Sequence, residues 1–263
     1  MKHRSKDNWF ADPFILNVTD NEIVLLVEEY IRRENIGIIS KLVVNRHNYN
    51  IINKCRLLKL ETHLSYPAIY RTNDNFFVYP ENCQSGELKL YKYNKGSNTL
   101  DLIKTLVNEP LTDSIIYETN NKSYLFTTKQ PYPSNNELYI YKANSWDGDY
   151  TLDYSILLND KSARSAGNIF KYEGLTVRPA QDCNKTYGGG IVFQSIKIKN
   201  ERFVVEEICR LYNKSIKYGL GIHTFNTFQD IAVVDVMGYK YPIFGRLINK
   251  IYTITKRITS GIS

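Results

Sequence analysis

Five short segments of this chain start alike and recur at a spacing that suits a radial repeat. They are Ala11-Asp12-Pro13-Phe14-Ile15, Ser65-Tyr66-Pro67-Ala68-Ile69, Thr112-Asp113-Ser114-Ile115-Ile116, Ser165-Ala166-Gly167-Asn168-Ile169 and Ile222-His223-Thr224-Phe225-Asn226. Their second residues fall at 12, 66, 113, 166 and 223, so the intervals are 54, 47, 53 and 57 residues. A period of about 50 residues built from short β-rich runs marks a β-propeller, one four-stranded blade per repeat. Five such repeats use nearly all of the 263 residues. The expected fold is therefore all-β: a five-bladed β-propeller over residues 1–240 with a short C-terminal helix after it. In such a ring the first strand of every blade faces one central funnel, so polar residues far apart in sequence converge there.

A second register supports the first. Counting from each start, the polar ends of the next runs fall at Glu28, Glu81, Thr128, Gln181 and Asp235. Outer strands are expected over 37–44, 87–93, 137–141 and 190–198, where pairs such as Tyr91 and Tyr93 alternate as half-buried strands do. The 21 Tyr and 11 Phe favour strands over helices. The fifth repeat is short, and closure of the ring calls on residues before Ala11 to complete it or leaves it abbreviated. Residues 241–263 change character: Ile243, Leu247, Ile251 and Ile254 keep helical spacing, with Arg246, Lys250 and Arg257 on another face. This amphipathic basic tail either docks on the propeller or rests on a membrane surface.

Several function classes lose support. The net charge of +7 comes largely from Lys in polar turns, a solvated rim, and no nucleic-acid-binding module accompanies it. Cys55, Cys83, Cys183 and Cys209 form no C-x-x-C pair and no zinc spacing, so they read as reduced thiols. No metal site and no cofactor are expected. Met1 to Asn8 is basic with no apolar stretch behind it, and no run reaches the ~18 apolar residues of a membrane span. The expected location is cytoplasmic, with peripheral membrane contact through the tail.

The funnel residues suggest chemistry. Asp12 and Asp113 from first strands, with Glu28 and Glu81 from second strands, are the carboxyl groups that cleavage or formation of a glycosidic bond requires. One must protonate the leaving oxygen, and another must activate water or attack the anomeric carbon. The same acids also suit turn caps at strand starts. His63 offers a hydrogen bond to a sugar hydroxyl or phosphate, and Tyr66 either stacks on a sugar ring or fills the channel. Arg164, Arg178 and Gln181 suit a carboxylate or phosphate on the ligand, or an arginine of the group holds Asp12 or Asp113 by a salt bridge. His223 faces the funnel from the fifth start, and Tyr187-Gly188-Gly189-Gly190 lacks the Lys-Ser/Thr ending of a phosphate-binding loop.

In order, Trp9-Phe10-Ala11-Asp12-Pro13-Phe14, His63-Leu64-Ser65-Tyr66-Pro67, Pro80-Glu81-Asn82, Thr112-Asp113-Ser114, Ala163-Arg164-Ser165-Ala166-Gly167 and Arg178-Pro179-Ala180-Gln181-Asp182 resemble a known domain. It is the N-terminal propeller of the glucosamine inositolphosphorylceramide transferases, over about residues 9 to 240. Stand-alone bacterial relatives of that domain are associated with surface-polysaccharide genes. The resemblance implies kinship with the five-bladed furanosidase-type glycosidases, whose blade-one Asp-Pro carries the base or nucleophile and matches Asp12. The Arg-Asp-Pro of invertases is replaced here by Ser65-Tyr66-Pro67, and blade three starts with Asp113. In the plant transferases sugar transfer is assigned to a separate domain. The expected function is sugar transfer in polysaccharide or glycolipid assembly, on a carbohydrate or sugar-nucleotide substrate. The alternatives are furanosidase-type hydrolysis and a non-catalytic glycan-binding propeller. In the enzymatic readings Asp12 is base or nucleophile, Asp113 stabilises the sugar cation and Glu81 is the acid. His63, Tyr66, Glu28, Arg164, Arg178, Gln181 and His223 bind substrate.

Overall fold

The computed structural model describes residues 7–239. Each of the first four repeats folds as a four-stranded antiparallel blade in sequential order. The first holds β1 (Asn8–Val18), β2 (Glu22–Ile31), β3 (Ile36–Asn45) and β4 (Ile51–Leu58). The second holds β5 (Ser65–Arg71), β6 (Phe76–Glu81), β7 (Leu88–Asn94) and β8 (Thr99–Val107). In the third are β9 (Leu111–Thr119), β10 (Lys122–Lys129), β11 (Glu137–Ala143) and β12 (Thr151–Leu157). The fourth has β13 (Phe170–Tyr172), β14 (Leu175–Gln181), β15 (Ile191–Lys199) and β16 (Arg202–Leu211).

The expectation of five blades is corrected here. Among the described residues, only a two-stranded hairpin follows the fourth blade, β17 (Phe225–Phe228) and β18 (Ile231–Val234). The long fourth interval, of 57 residues, is taken up by the connection after β16, which adds no strand before β17. Nor do the described N-terminal residues complete the hairpin, because Asn8, Trp9 and Phe10 pair with Ile31, Tyr30 and Glu29 inside the first blade. The propeller thus has four blades, with the hairpin seated between the fourth and the first. The helix expected over residues 241–263 lies outside the described residues, and among residues 7–239 there is no α-helix. Among them, too, no helix is long and apolar enough to cross a membrane, and all four cysteines are free.

Burial follows radial position. β1 is buried continuously from Ala11 to Leu16, whereas β12 at the outer edge of its blade buries no residue. Blades pack face to face through interdigitating side chains. Phe14, Leu26, Tyr66, Val78, Ile115 and Leu125 belong to one core shared by the first three blades. Phe126, Ile140, Ile196 and Phe203 join the third to the fourth, with Phe126 and Phe203 in edge contact at 4.8 Å. Ile15, Leu25 and Val27 take Phe228, Ile231 and Val233 of the hairpin against them. Truncating a fully buried anchor such as Phe14 to Ala costs about 3–5 kcal/mol.

Ring closure uses directed polar contacts as well. The Phe225 amide donates to the Ala166 carbonyl (2.6 Å), the Asn168 amide to Asn226 Oδ1 (2.8 Å), and Asn226 Nδ2 to the Pro13 carbonyl (2.9 Å). Gly167 is required at this joint. A Cβ there would meet the Phe225 carbonyl oxygen at 1.9 Å, and its φ of +150° is one that other residues rarely adopt.

The inner strands of the first three blades share one irregularity. Asp12, Tyr66 and Asp113 have φ of 48°, 44° and 45°, and the pairing register shifts beside each of them. This is a bulge in which a non-glycine residue is held left-handed, at roughly 1–3 kcal/mol each. Each bulge amide is met by a carboxylate from an adjoining unit of the ring. Asp235 Oδ2 accepts from Asp12 N (3.2 Å), Asp12 Oδ2 from Tyr66 N (3.1 Å), and Glu81 Oε2 from Asp113 N (3.0 Å). The acids that line the axis therefore also hold the strained backbone that presents them.

Candidate functional site

A cavity of about 640 Å³ opens at the axis, lined by Asp12, Glu28, Glu81, Asp235, His63, His223, Arg164 and Tyr187, with Trp9, Tyr30 and Arg32 among the other residues around it. The acids arrive there for two reasons. Asp12 is thrown inward by its bulge, and Glu28 and Glu81 sit on second strands directly opposite Ala11 and Ser65.

One wall is a three-residue unit. His223 Nε2 lies 3.2 Å from Asp12 Oδ1, and its Nδ1 lies 2.8 Å from Asp235 Oδ2. Asp235 Oδ1 accepts from the amides of His223 (3.1 Å) and Thr224 (2.9 Å). Burial opposes a charged imidazole, but the carboxylates of Asp235 and Asp12 outweigh it and hold the His223 pKa well above its ordinary value. Burial works against the Asp235 carboxylate, yet the His223 ring and the amides of Thr224 and Asp12 keep its carboxyl below the usual range. For Asp12 burial prevails, and its pKa is raised despite His223. The unit is read as an imidazolium clamped between two acids, in which both ring nitrogens donate. Asp12, His223 and Asp235 also offer donor atoms within 4.8 Å of one another, a spacing a metal ion accepts. A cation bound there would have to displace the His223 proton.

The opposite wall is built around Arg164. Its Nε donates to Asp113 Oδ2 at 2.6 Å, an Nη lies 3.5 Å from Glu81 Oε2, and the guanidinium sits 4.8 Å from the Tyr187 ring centre. Gln181 Nε2 donates to the same Asp113 oxygen at 2.7 Å. Burial and then the adjacent Asp113 carboxylate push the Glu81 pKa well above the ordinary range, and Arg164 only partly offsets them. Glu81 is thus a carboxyl held toward its protonated form. Between the walls, Glu28 Oε1 lies 3.2 Å from His63 Nε2, and His63 Nδ1 accepts the Gly37 amide at 3.0 Å. Burial raises the Glu28 pKa too.

Residues 2–228 match the family described as glucosamine inositolphosphorylceramide transferase 1, N-terminal. The chain belongs to this family. Among curated relatives, glucosamine inositolphosphorylceramide transferase 1 of Oryza sativa subsp. japonica is 32% identical over 167 residues, 61% of this chain and 21% of the relative. The protein of that name in Arabidopsis thaliana is 28% identical over 143 residues, covering 52% and 19%. The matched stretch thus spans about a fifth of these relatives' length. Solved structures share the fold at low identity. An exo-β-1,3-galactanase variant from Phanerochaete chrysosporium gives a TM-score of 0.57 at 9% identity, covering 78% of this chain and 49% of its own. A B. subtilis levansucrase variant gives 0.54 at 13%, covering 78% and 69%. A thermostable family-43 glycoside hydrolase gives 0.56 at 11%, covering 78% and 77%.

Within this family member, Asp12, Glu28, Glu81, His63, Arg164 and His223 come together on one cavity. Four expected residues stand elsewhere. Asp113 is buried behind Arg164 and Glu81, and Gln181 is fully buried against it. Tyr66 is fully buried with its ring edge-on to Phe14 at 4.9 Å, so it fills the interior. Arg178 is also enclosed; it donates to Gln194 Oε1 (2.6 Å), Ser165 Oγ (3.2 Å) and the Ser162 and Ala163 carbonyls, and lies off the cavity. Asp235, Tyr187, Trp9 and Tyr30 join the site without having been assigned a role from sequence. The signal for Asp235 was its place in the second register.

Proposed function

We propose that this propeller acts on a glycosidic bond within the axial cavity, as a sugar-transferring component of glycan or glycolipid assembly. The observation that carries the reading is the gathering of Asp12, Glu28 and Glu81, all buried, on one cavity wide enough for sugar rings. Glu81 has the environment of a general acid, since a carboxyl kept neutral can protonate a leaving oxygen. Asp12 is the base or nucleophile. Each of its oxygens accepts one hydrogen bond, from Tyr66 N and from His223, which leaves a lone pair on each for an incoming hydroxyl or an anomeric carbon. Asp113 acts through Arg164 and Glu81 as a positioning residue. The names of the relatives, transferases of glucosamine and inositolphosphorylceramide, support a glycolipid acceptor. The basic, apolar sequence of 241–263 supports work at the cytoplasmic face of a membrane, with a sugar nucleotide as donor.

A second reading has its own support. Asp12 and Glu81 both brace strained backbone, which is the behaviour of structural acids in a non-catalytic glycan-binding ring. A thermal-shift screen against sugar nucleotides, sugar phosphates and oligosaccharides selects the ligand, and turnover is then compared for Asp12→Asn. The enzymatic reading expects turnover to fall about 10²–10⁴-fold while the Kd stays within about threefold. Full turnover in the folded Asp12→Asn and Asp113→Asn proteins would sink it, and ligand binding with no turnover in any variant would establish the second.

A further inference from the structure

The mouth of the cavity carries a feature that the acid pair does not use. Trp9 of β1 and Tyr30 of β2 are directly opposite across the strand pair. Their rings stack at 4.8 Å with 18° between the planes, and Trp9 remains 36% exposed. Tyr30 in turn lies 6.0 Å from the His63 ring, whose Nε2 reaches Glu28. A strip of three rings therefore runs from the rim to the acids. Arg32 follows β2 at the same rim and lines the same cavity. Its backbone amide donates to the Asp7 carbonyl, but the Asp7 carboxylate is taken by Arg33 at 3.1 Å. Among the described residues the Arg32 guanidinium has no carboxylate partner.

We infer that Trp9, Tyr30 and Arg32 form a separate subsite at the mouth for a polyhydroxylated six-membered ring bearing a phosphate. The inference rests on the reading of the cavity as a sugar site. Such a ring has a C–H face that lies flat on an indole, and its hydroxyls project sideways where polar groups can meet them. Tyr30 braces the indole from behind, so the platform is formed before the ligand arrives. The guanidinium supplies the paired donors that a phosphate oxygen pair accepts, and among the described residues no carboxylate competes for it. A neutral sugar would gain the stack alone, and inorganic phosphate the arginine alone.

The chain holds two tryptophans, and Trp146 stacks on Tyr70 at 4.4 Å away from the cavity lining. In Trp146→Phe, emission therefore reports Trp9. This variant is titrated with glucose 1-phosphate, glucose, inorganic phosphate and neutral β-1,3-galactotriose. Saturation-transfer NMR on the ligands with the unaltered protein repeats the series without relying on fluorescence or on that variant's folding. Glucose 1-phosphate is expected to saturate about tenfold more tightly than glucose, a gap that Arg32→Gln abolishes and Lys95→Gln, on the exposed turn between β7 and β8, leaves within about twofold. Equal affinity for glucose and glucose 1-phosphate, or a gap that survives Arg32→Gln, overturns the subsite. So does silence of glucose 1-phosphate in both methods. If the trisaccharide still binds in that case, the sugar-site reading stands and only this subsite falls; if no sugar binds, both fall.

Discussion

Replacing Asp235 with Asn tests whether the clamped imidazolium is the keystone of the ring. The Asp235 carboxylate accepts four hydrogen bonds: His223 N (3.1 Å) and Thr224 N (2.9 Å) on Oδ1, and Asp12 N (3.2 Å) and His223 Nδ1 (2.8 Å) on Oδ2. Asparagine has one acceptor oxygen, so either orientation leaves donors facing an amide NH₂, and His223 loses its counter-ion. Removing one partner of a buried pair costs about 3–5 kcal/mol. For a domain of this size that lowers Tm by roughly 6–20 °C. The cost should depend on pH. His223 has its pKa raised on folding, so its contribution is complete below about pH 6.5 and is lost as pH rises through the raised value. Asp235 itself has a lowered pKa, so its contribution fades only below about pH 4. The gap between the parent and Asp235→Asn is therefore expected to be widest near pH 6 and to shrink upward in calorimetric or urea unfolding at several pH values. A cost under about 1 kcal/mol, or a gap that stays flat or widens at high pH, would refute the argument.

Glu81→Gln should raise Tm at pH 7 and lose that advantage as pH falls to about 4.5, because burial penalises the ionised carboxyl and the native site already prefers the proton. Thermal unfolding at the two pH values decides this, and an advantage that persists at low pH contradicts it. Gly188→Ala sets a Cβ 2.6 Å from His223 Cβ at a φ of +60°. It should cost at least about 1–2 kcal/mol, and an NMR titration should find the imidazole pKa moved back toward 6.5. Arg178→Lys cannot bridge Gln194, Ser165 and two carbonyls at once, so urea unfolding should show a loss of about 2–4 kcal/mol. Ligand affinity of the folded fraction should stay the same, since Arg178 is off the cavity.

What the sequence made legible was angular position around the axis. The starts at Asp12, Tyr66 and Asp113 are the bulges of three inner strands; Glu81 and Gln181 end second strands and Glu28 and Thr128 lie near the ends of theirs, all four in the interior. Depth along the axis was not legible. Asp12 reaches the cavity while Asp113, in the same backbone conformation, lies behind Arg164, because the segment leading into the fourth blade supplies an arginine there and the segment leading into the hairpin a histidine at Asp12. Arg178 and Arg164 look alike as text. The first sits within a central strand and is spent on interior carbonyls, whereas the second precedes its blade and reaches across to Asp113 and Glu81. The fifth blade was miscounted because a period counts starts and says nothing of how many strands follow each one. The hairpin has a start, Asp235 in the second register, and no outer strands among the described residues.

The hydrogen bond from the Asp12 amide to Asp235 joins residues 223 positions apart. On a ribosome, the first acid of the site is therefore made long before the residue that holds it in place. Until the hairpin arrives, Asp12 has neither Asp235 behind its backbone nor His223 against its carboxylate, and the nascent ring is an open arc with unpaired inner groups. Contacts this distant in sequence form late and slowly. Competence of the site and completion of the fold should thus appear as one event, and a chain stalled or cleaved before the hairpin should carry four blades and no function.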